Sequence, residues 1–289
     1  MIKKNLNIIV VVLIIAIGAI FIALMARNIF LYYFVSVEGT IEDAVQAYAN
    51  TQFPKAKSIA SKHLEEPLGK LIFCSCQIFD IKNLNYNSGL AGLKELYEDT
   101  NIPTDIRVEA AISYARVIQV FQTRGIYAEY KEVAVEKVYK DILNLDNNDR
   151  RACTTAVYLM ELYINSKEKQ GDEKIIKFTD NFVNNFNGEK KYLVPVHMAI
   201  SNYYLVFKNN YVSAVEHLKK AYELGIERDL LKRDVLFRIA RISEYNLDDL
   251  ETGKKYYEEF LRLYPDALTT PVVKRYLKDL QEKEKDING

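Results

Sequence analysis

Three cysteines and three histidines are the side chains best able to do nucleophilic or metal chemistry in this 289-residue chain. Cys74 and Cys76 lie two residues apart in an apolar run. On a helix that spacing points them about 200° apart, so they can share neither a disulfide nor a metal ion. Cys153 has no cysteine near it in sequence, and an odd, sparse count argues against a disulfide-stapled domain. All three read as small buried apolar residues. A bridge from Cys153 to either of the others stays open if the domain lies outside the cytoplasm. His63, His197 and His217 have no ligand partner three or four residues on, and no HExxH or CxxC motif is present. No glycine-rich phosphate loop or nucleophile elbow occurs. Acidic pairs such as Glu65–Glu66 and Asp248–Asp249 fall at helix ends, where capping and solvation are their ordinary work. No catalytic, metal-binding or cofactor-binding residue is nominated, and the chain is not expected to be an enzyme or to carry a cofactor.

What remains is architecture. Residues 235–265 read as two amphipathic helices with a tight turn between them: Val235, Ile239 and Ile242, then Leu250, Gly253, Tyr257, Phe260 and Tyr264. Asp248 and Asp249 stand where the second helix needs its N-cap, and Pro265 stops it. The unit recurs. Ile142, Phe182, Ala221 and Phe260 mark successive second helices at spacings of 40, 39 and 39 residues. A fixed period in this range predicts a solenoid, since one hairpin cannot bury its apolar face alone.

The runs NNYVSAVEHLKKAYELGI (209–226) and LETGKKYYEEFLRLYPDA (250–267) resemble the second helix of a tetratricopeptide repeat. Tyr211, Ala214, Ala221 and Pro265 match the family's places, and Ala240 is its small residue on the first helix. The match covers about 195–267 and weakens before it. Gly253 replaces an alanine, Ile226 replaces the proline, and the period exceeds the usual 34 by about five residues. The resemblance implies an all-α fold, an α-solenoid of about five to six repeats over 38–285. Its first helices would line a concave groove for a peptide or helix of another protein. By the family's pattern Tyr203, Arg241 and Tyr245 would face that groove, with packing against the next repeat as the competing role for Tyr203.

The N-terminus is of another kind. Residues 8–26 are 19 apolar residues without a charge, about 28 Å of helix and close to a bilayer's hydrocarbon core. Arg27 follows, then the aromatic Phe30, Tyr32 and Tyr33, an expected membrane-interface belt. A cleaved signal peptide is the competing reading. Against it, the apolar run exceeds an ordinary h-region, and Leu24 is too large for the cleavage site. Residues 1–36 are therefore expected to be a transmembrane anchor. Lys3 and Lys4 precede the span and only Arg27 follows before Lys55. That bias puts the N-terminus in the cytoplasm and the repeats outside it, in the periplasm of a diderm bacterium.

The remaining segments follow the same alternation. Short helices are expected over 41–50 and 53–66, closed by Pro67, then an apolar helix from Leu68 and another from Ser88. A long first helix over 105–122 breaks at Gly125, with its partner from about Tyr130 to Leu145. Residues 270–285 are expected to be a capping helix with one charged face. Lys+Arg equals Asp+Glu at 39 each, which leaves no electrostatic footprint for nucleic acid. The expectation is a single-pass, membrane-anchored protein–protein interaction scaffold of tetratricopeptide type, in envelope assembly or protein translocation. The alternative is a structural helical array that self-associates as a homo-oligomer.

Overall fold

The computed structural model describes residues 38–80, 84–165 and 171–288. The apolar run 8–26 and the interfacial residues Arg27, Phe30, Tyr32 and Tyr33 lie outside them. Among the described residues no helix is long and apolar enough to cross a membrane, and there is no strand.

Contacts divide the chain into two compact units, Met1–Tyr114 and Ala115–Gly289. The first contains α1 (Ile41–Ala49), α2 (Phe53–Ala60), α3 (Pro67–Phe79) and α4 (Tyr86–Glu98). Thr40 opens α1 with a reciprocal capping box on Asp43. Ala44, Ala47, Ala56, Ile59 and Ile72 make one apolar cluster where α1, α2 and α3 meet. The α3–α4 contact is close because glycine sits at it: a Cβ on Gly92 would run into the sulfur of Cys74. Pro67 opens α3 at its first turn rather than closing the preceding helix, which ends at Ala60. Proline is tolerated there because the first-turn N–H has no intrahelical acceptor.

Helix α5 (Thr104–Arg124) crosses the division. The second unit continues with α6 (Val135–Leu145), α7 (Arg150–Asn165), α8 (Gly171–Asn185), α9 (Val194–Tyr203), α10 (Tyr211–Glu223), α11 (Asp229–Asn246), α12 (Leu250–Leu263) and α13 (Thr270–Asn288). Gly125 ends α5 with φ +65°, and a 3₁₀ turn at Ala128–Tyr130 delays α6 until Val135, five residues later than expected. Gln122 holds that turn by donating to the carbonyls of Tyr130, Lys131 and Val133.

Helices pack in neighbouring pairs. α9 and α10 form one hairpin, α11 and α12 the next, and α10 packs on α11. Ile142, Phe182, Ala221 and Phe260 all lie on the second helix of a pair, two or three residues from its end, and all are buried. Small residues set the spacing inside the hairpins. Ser201 donates to the carbonyl of Ala214 at 2.9 Å. Thirty-nine residues on, at the equivalent place, a Cβ on Gly253 would come within 3.1 Å of Leu280 and 3.3 Å of the Glu244 Cβ, so glycine lets α11 and α13 approach α12 closely. The turns repeat too. Asn209 and Asp248 are both left-handed (φ 48° and 53°), and the next residue, Asn210 or Asp249, is the N-cap. Those side chains accept from the amides of Ser213 and Thr252 at 3.1 and 3.0 Å. The cap is thus Asp249, while Asp248 makes the turn; short polar side chains tolerate the left-handed region best.

Candidate partner-binding surface

The three residues expected on the groove separate in the structure. Tyr203 ends α9 buried at 2% exposure, its ring stacked on Phe207 at 6.1 Å. No partner can reach that ring, so its role is internal packing. The reason is helical phase. Thirty-nine residues before Arg241 and Tyr245 stand Asn202 and Val206, and one residue along a helix turns the side chain by about 100°. Asn202 and Val206 face outward: Asn202 accepts from Arg238 Nη2 at 2.6 Å, linking α9 to α11, and Val206 is 69% exposed.

Arg241 and Tyr245 are brought together, with α13 beside them. The Arg241 guanidinium lies between the rings of Tyr245 and Tyr276, 3.7 and 4.1 Å from their centroids. Below it is Glu244, whose side chain is fully buried. Glu244 accepts from the Tyr257 hydroxyl at 2.8 Å and from Lys283 Nζ at 3.1 Å, and Arg241 Nη1 is 3.8 Å away. Burial and the adjacent Glu244 push the Tyr257 hydroxyl well above its ordinary range, so it stays a donor. Arg241 therefore ties α13 to α11. Tyr245 keeps half its surface open.

A segment that periodicity did not single out adds to this face. α9 runs into a π-helical turn, Tyr204–Lys208, which turns Val206 and Phe207 outward. Val212 at the start of α10 is also exposed. A π-turn inserts a residue into the 3.6 repeat, and that is why the pattern of apolar residues fails there.

The cysteines are buried and free. Burial raises Cys74 to about 11 and Cys76 and Cys153 to about 12, so none is a thiolate near neutrality. Among the described residues no group of three His, Cys, Asp or Glu side chains could hold a metal ion. His197 of α9 and His217 of α10 do meet, however, Nδ1 to Nδ1 at 3.0 Å, with the Tyr204 ring stacked on His217. One Nδ1 must donate and the other accept, so at least one of the two rings is neutral. No local spacing revealed it, because the partners lie 20 residues apart on different helices. Desolvation, then His217 and Lys220, lower His197 to about 4. Desolvation and Lys220 lower His217, against Asp180 and Glu216.

Those shifts fix the sign of a pH dependence. The unfolded chain takes up the His197 proton near the ordinary histidine value of about 6.5, but the folded chain takes it up only near 4. Stability from this site is complete above about 6.5 and falls as pH drops from there towards 4. The slope approaches about 1.4 kcal/mol per pH unit for one proton. A His197→Gln variant keeps an amide donor for His217 without the titration. Between pH 7 and 5 the stability gap between wild type and variant should narrow by roughly 1–2 kcal/mol, read from urea midpoints. A gap that stays constant with pH removes His197 as its source.

Comparison of the chain with protein-family models and with curated proteins returns no match to either.

Proposed function

We propose that the chain is a membrane-tethered scaffold whose tetratricopeptide-like hairpins hold a peptide or helix of a partner protein. The observation that carries this reading is the line on successive first helices, exposed Asn202 and Val206 on α9 and its π-turn, then half-buried Arg241 and exposed Tyr245 on α11. It lies over a core that repeats every 39 residues. Apolar Val206 and Phe207 with aromatic Tyr245 supply the anchors, and Arg238 and Asn202 the polar positions, the mixture that binding surfaces use. Residues 8–26 act as the tether, which raises the local concentration of membrane partners. The lysines before that run favour a cytoplasmic N-terminus and repeats on the far side of the membrane. Self-association through the same line is the second reading, favoured by the exposure of Val206, Phe207 and Val212 on one short stretch.

One experiment separates the two. A photo-crosslinking amino acid is placed at position 206, 245 or 278 of the full-length chain in its own membrane. Lys278 is 75% exposed on α13, about 200° around the helix from Tyr276, and serves as the control. Discrete adducts to one other protein are expected at 206 and 245 and not at 278. Adducts to the chain itself select the self-associating array. Equal labelling at all three positions, or none, overturns the scaffold.

A further inference from the structure

The second unit contains a cavity of about 300 Å³ on the side of α11 that carries Leu230, Arg233 and Phe237, closed by Phe260 of α12 and Val272 of α13. It shares no lining residue with the Val206–Tyr245 line. Leu230, Arg233 and Phe237 recur at helical spacing, so one face of α11 supplies one wall. The volume is at the lower end for small-molecule sites, too small for a nucleotide-sized cofactor.

The walls are hydrocarbon, and two aspartates and two arginines stand at or near the rim. Asp234, also on the rim, pairs with Arg238 at 3.7 Å. Asp229 accepts from the Tyr264 hydroxyl at 3.3 Å. Arg233 stacks on the Tyr264 ring at 5.6 Å, and no carboxylate among the described residues pairs with it. Its Nε is closed off from water, and so from the cavity, which leaves the two Nη groups to meet a ligand. Those two donors match a carboxylate with two parallel hydrogen bonds.

We propose that this cavity binds a small carboxylic acid with a hydrocarbon body, the chain or ring against Phe237, Phe260 and Val272 and the carboxylate on Arg233. A dianionic phosphate is disfavoured, because Asp234 and Asp229 stand nearby and one free guanidinium would have to offset the extra charge. A neutral ligand would leave Arg233 as it is. The acid is set by cavity length: a single ring or a chain of a few carbons fills it.

The test uses the full-length chain with two probes of one shape, 4-phenylbutyrate and 4-phenylbutan-1-ol, each titrated calorimetrically. The acid should bind about tenfold or more tightly than the alcohol, the ratio for a charge-assisted pair against a neutral contact. In Arg233→Gln the two affinities should converge, mainly through loss of acid binding. In Val272→Trp, which fills the cavity, both should be lost while far-UV circular dichroism is unchanged. Equal affinities in wild type, a preference for the acid that survives Arg233→Gln, or no binding of either probe overturns the proposal. The Arg233→Gln comparison stands by itself if the tryptophan variant fails to fold. Because the crosslinking line lies elsewhere, failure here leaves the scaffold reading untouched.

Discussion

A Phe182→Ala chain should lose about 3–5 kcal/mol of unfolding free energy, the cost of removing a buried aromatic ring and leaving its space behind. Phe182 is 5% exposed on α8, with Phe178 and Phe186 at 6.0 and 5.7 Å on either side. Its neighbours are bulky rings on α8 and just past its end, so collapse into the gap is restricted and the upper half of the range is expected. The same reasoning gives Ile142→Ala about 2–5 kcal/mol, since Ile142 is wholly buried at the equivalent place on α6. Ala221 inverts the test. It is wholly buried with no side chain left to remove, so Ala221→Phe should destabilise by overpacking, about 1–3 kcal/mol. Asp180 is exposed two residues before Phe182, and Asp180→Ala should stay within about 0.5 kcal/mol. Urea unfolding of the four variants reads all of this. If Phe182→Ala costs no more than Asp180→Ala, the 39-residue period is a sequence coincidence with no shared core behind it.

That period was legible because it rests on large apolar residues whose burial has no local substitute. Ile142, Phe182, Ala221 and Phe260 lie on second helices and are buried, where spacing alone put them. Turn chemistry was legible at Asp248–Asp249 and could have been found at Asn209–Asn210, the same pair 39 residues earlier. Aligning first helices by the same period would have replaced Tyr203 with Asn202 and Val206. Taken without it, an aromatic side chain at about the right depth looked like a groove residue. The proline at 67 was ambiguous in sequence because proline both ends one helix and begins the next. The His197–His217 contact had a signal of its own: 39 residues on stand Leu236 and Tyr256, both buried, which marks the histidine positions as core. The clamp around Arg241 had none, because it depends on where α13 docks. A charged amphipathic helix can satisfy its apolar face at several angles, and its sequence does not choose among them.

Removing Glu244 is the second large effect, and it separates stability from binding. Glu244→Ala should cost about 3–5 kcal/mol, the usual result of deleting one partner from a buried ionic cluster. The Tyr257 hydroxyl loses its acceptor, and Arg241 and Lys283 lose the charge between them. Glu244→Gln still accepts from Tyr257 and should cost about 1–2 kcal/mol, the difference measuring charge rather than shape. Lys283 is half exposed, so Lys283→Met should cost less than about 1 kcal/mol. The order Ala, then Gln, then Met is the result to check by urea unfolding; a Met variant as costly as the Ala variant makes Lys283 the true tie. Loss of Glu244 should also loosen α13, seen as earlier proteolysis after Lys274, because Glu244 accepts from Lys283 of that helix and lies beside the Arg241 guanidinium that stacks on Tyr276. Tyr245 behaves differently. It is half exposed and is stacked by Arg241 on one face, so Tyr245→Ala should change stability by about 1 kcal/mol or less. If that same change abolishes crosslinking at 206 while Glu244→Gln does not, the exposed ring belongs to the partner surface and the arginine beneath it to the fold.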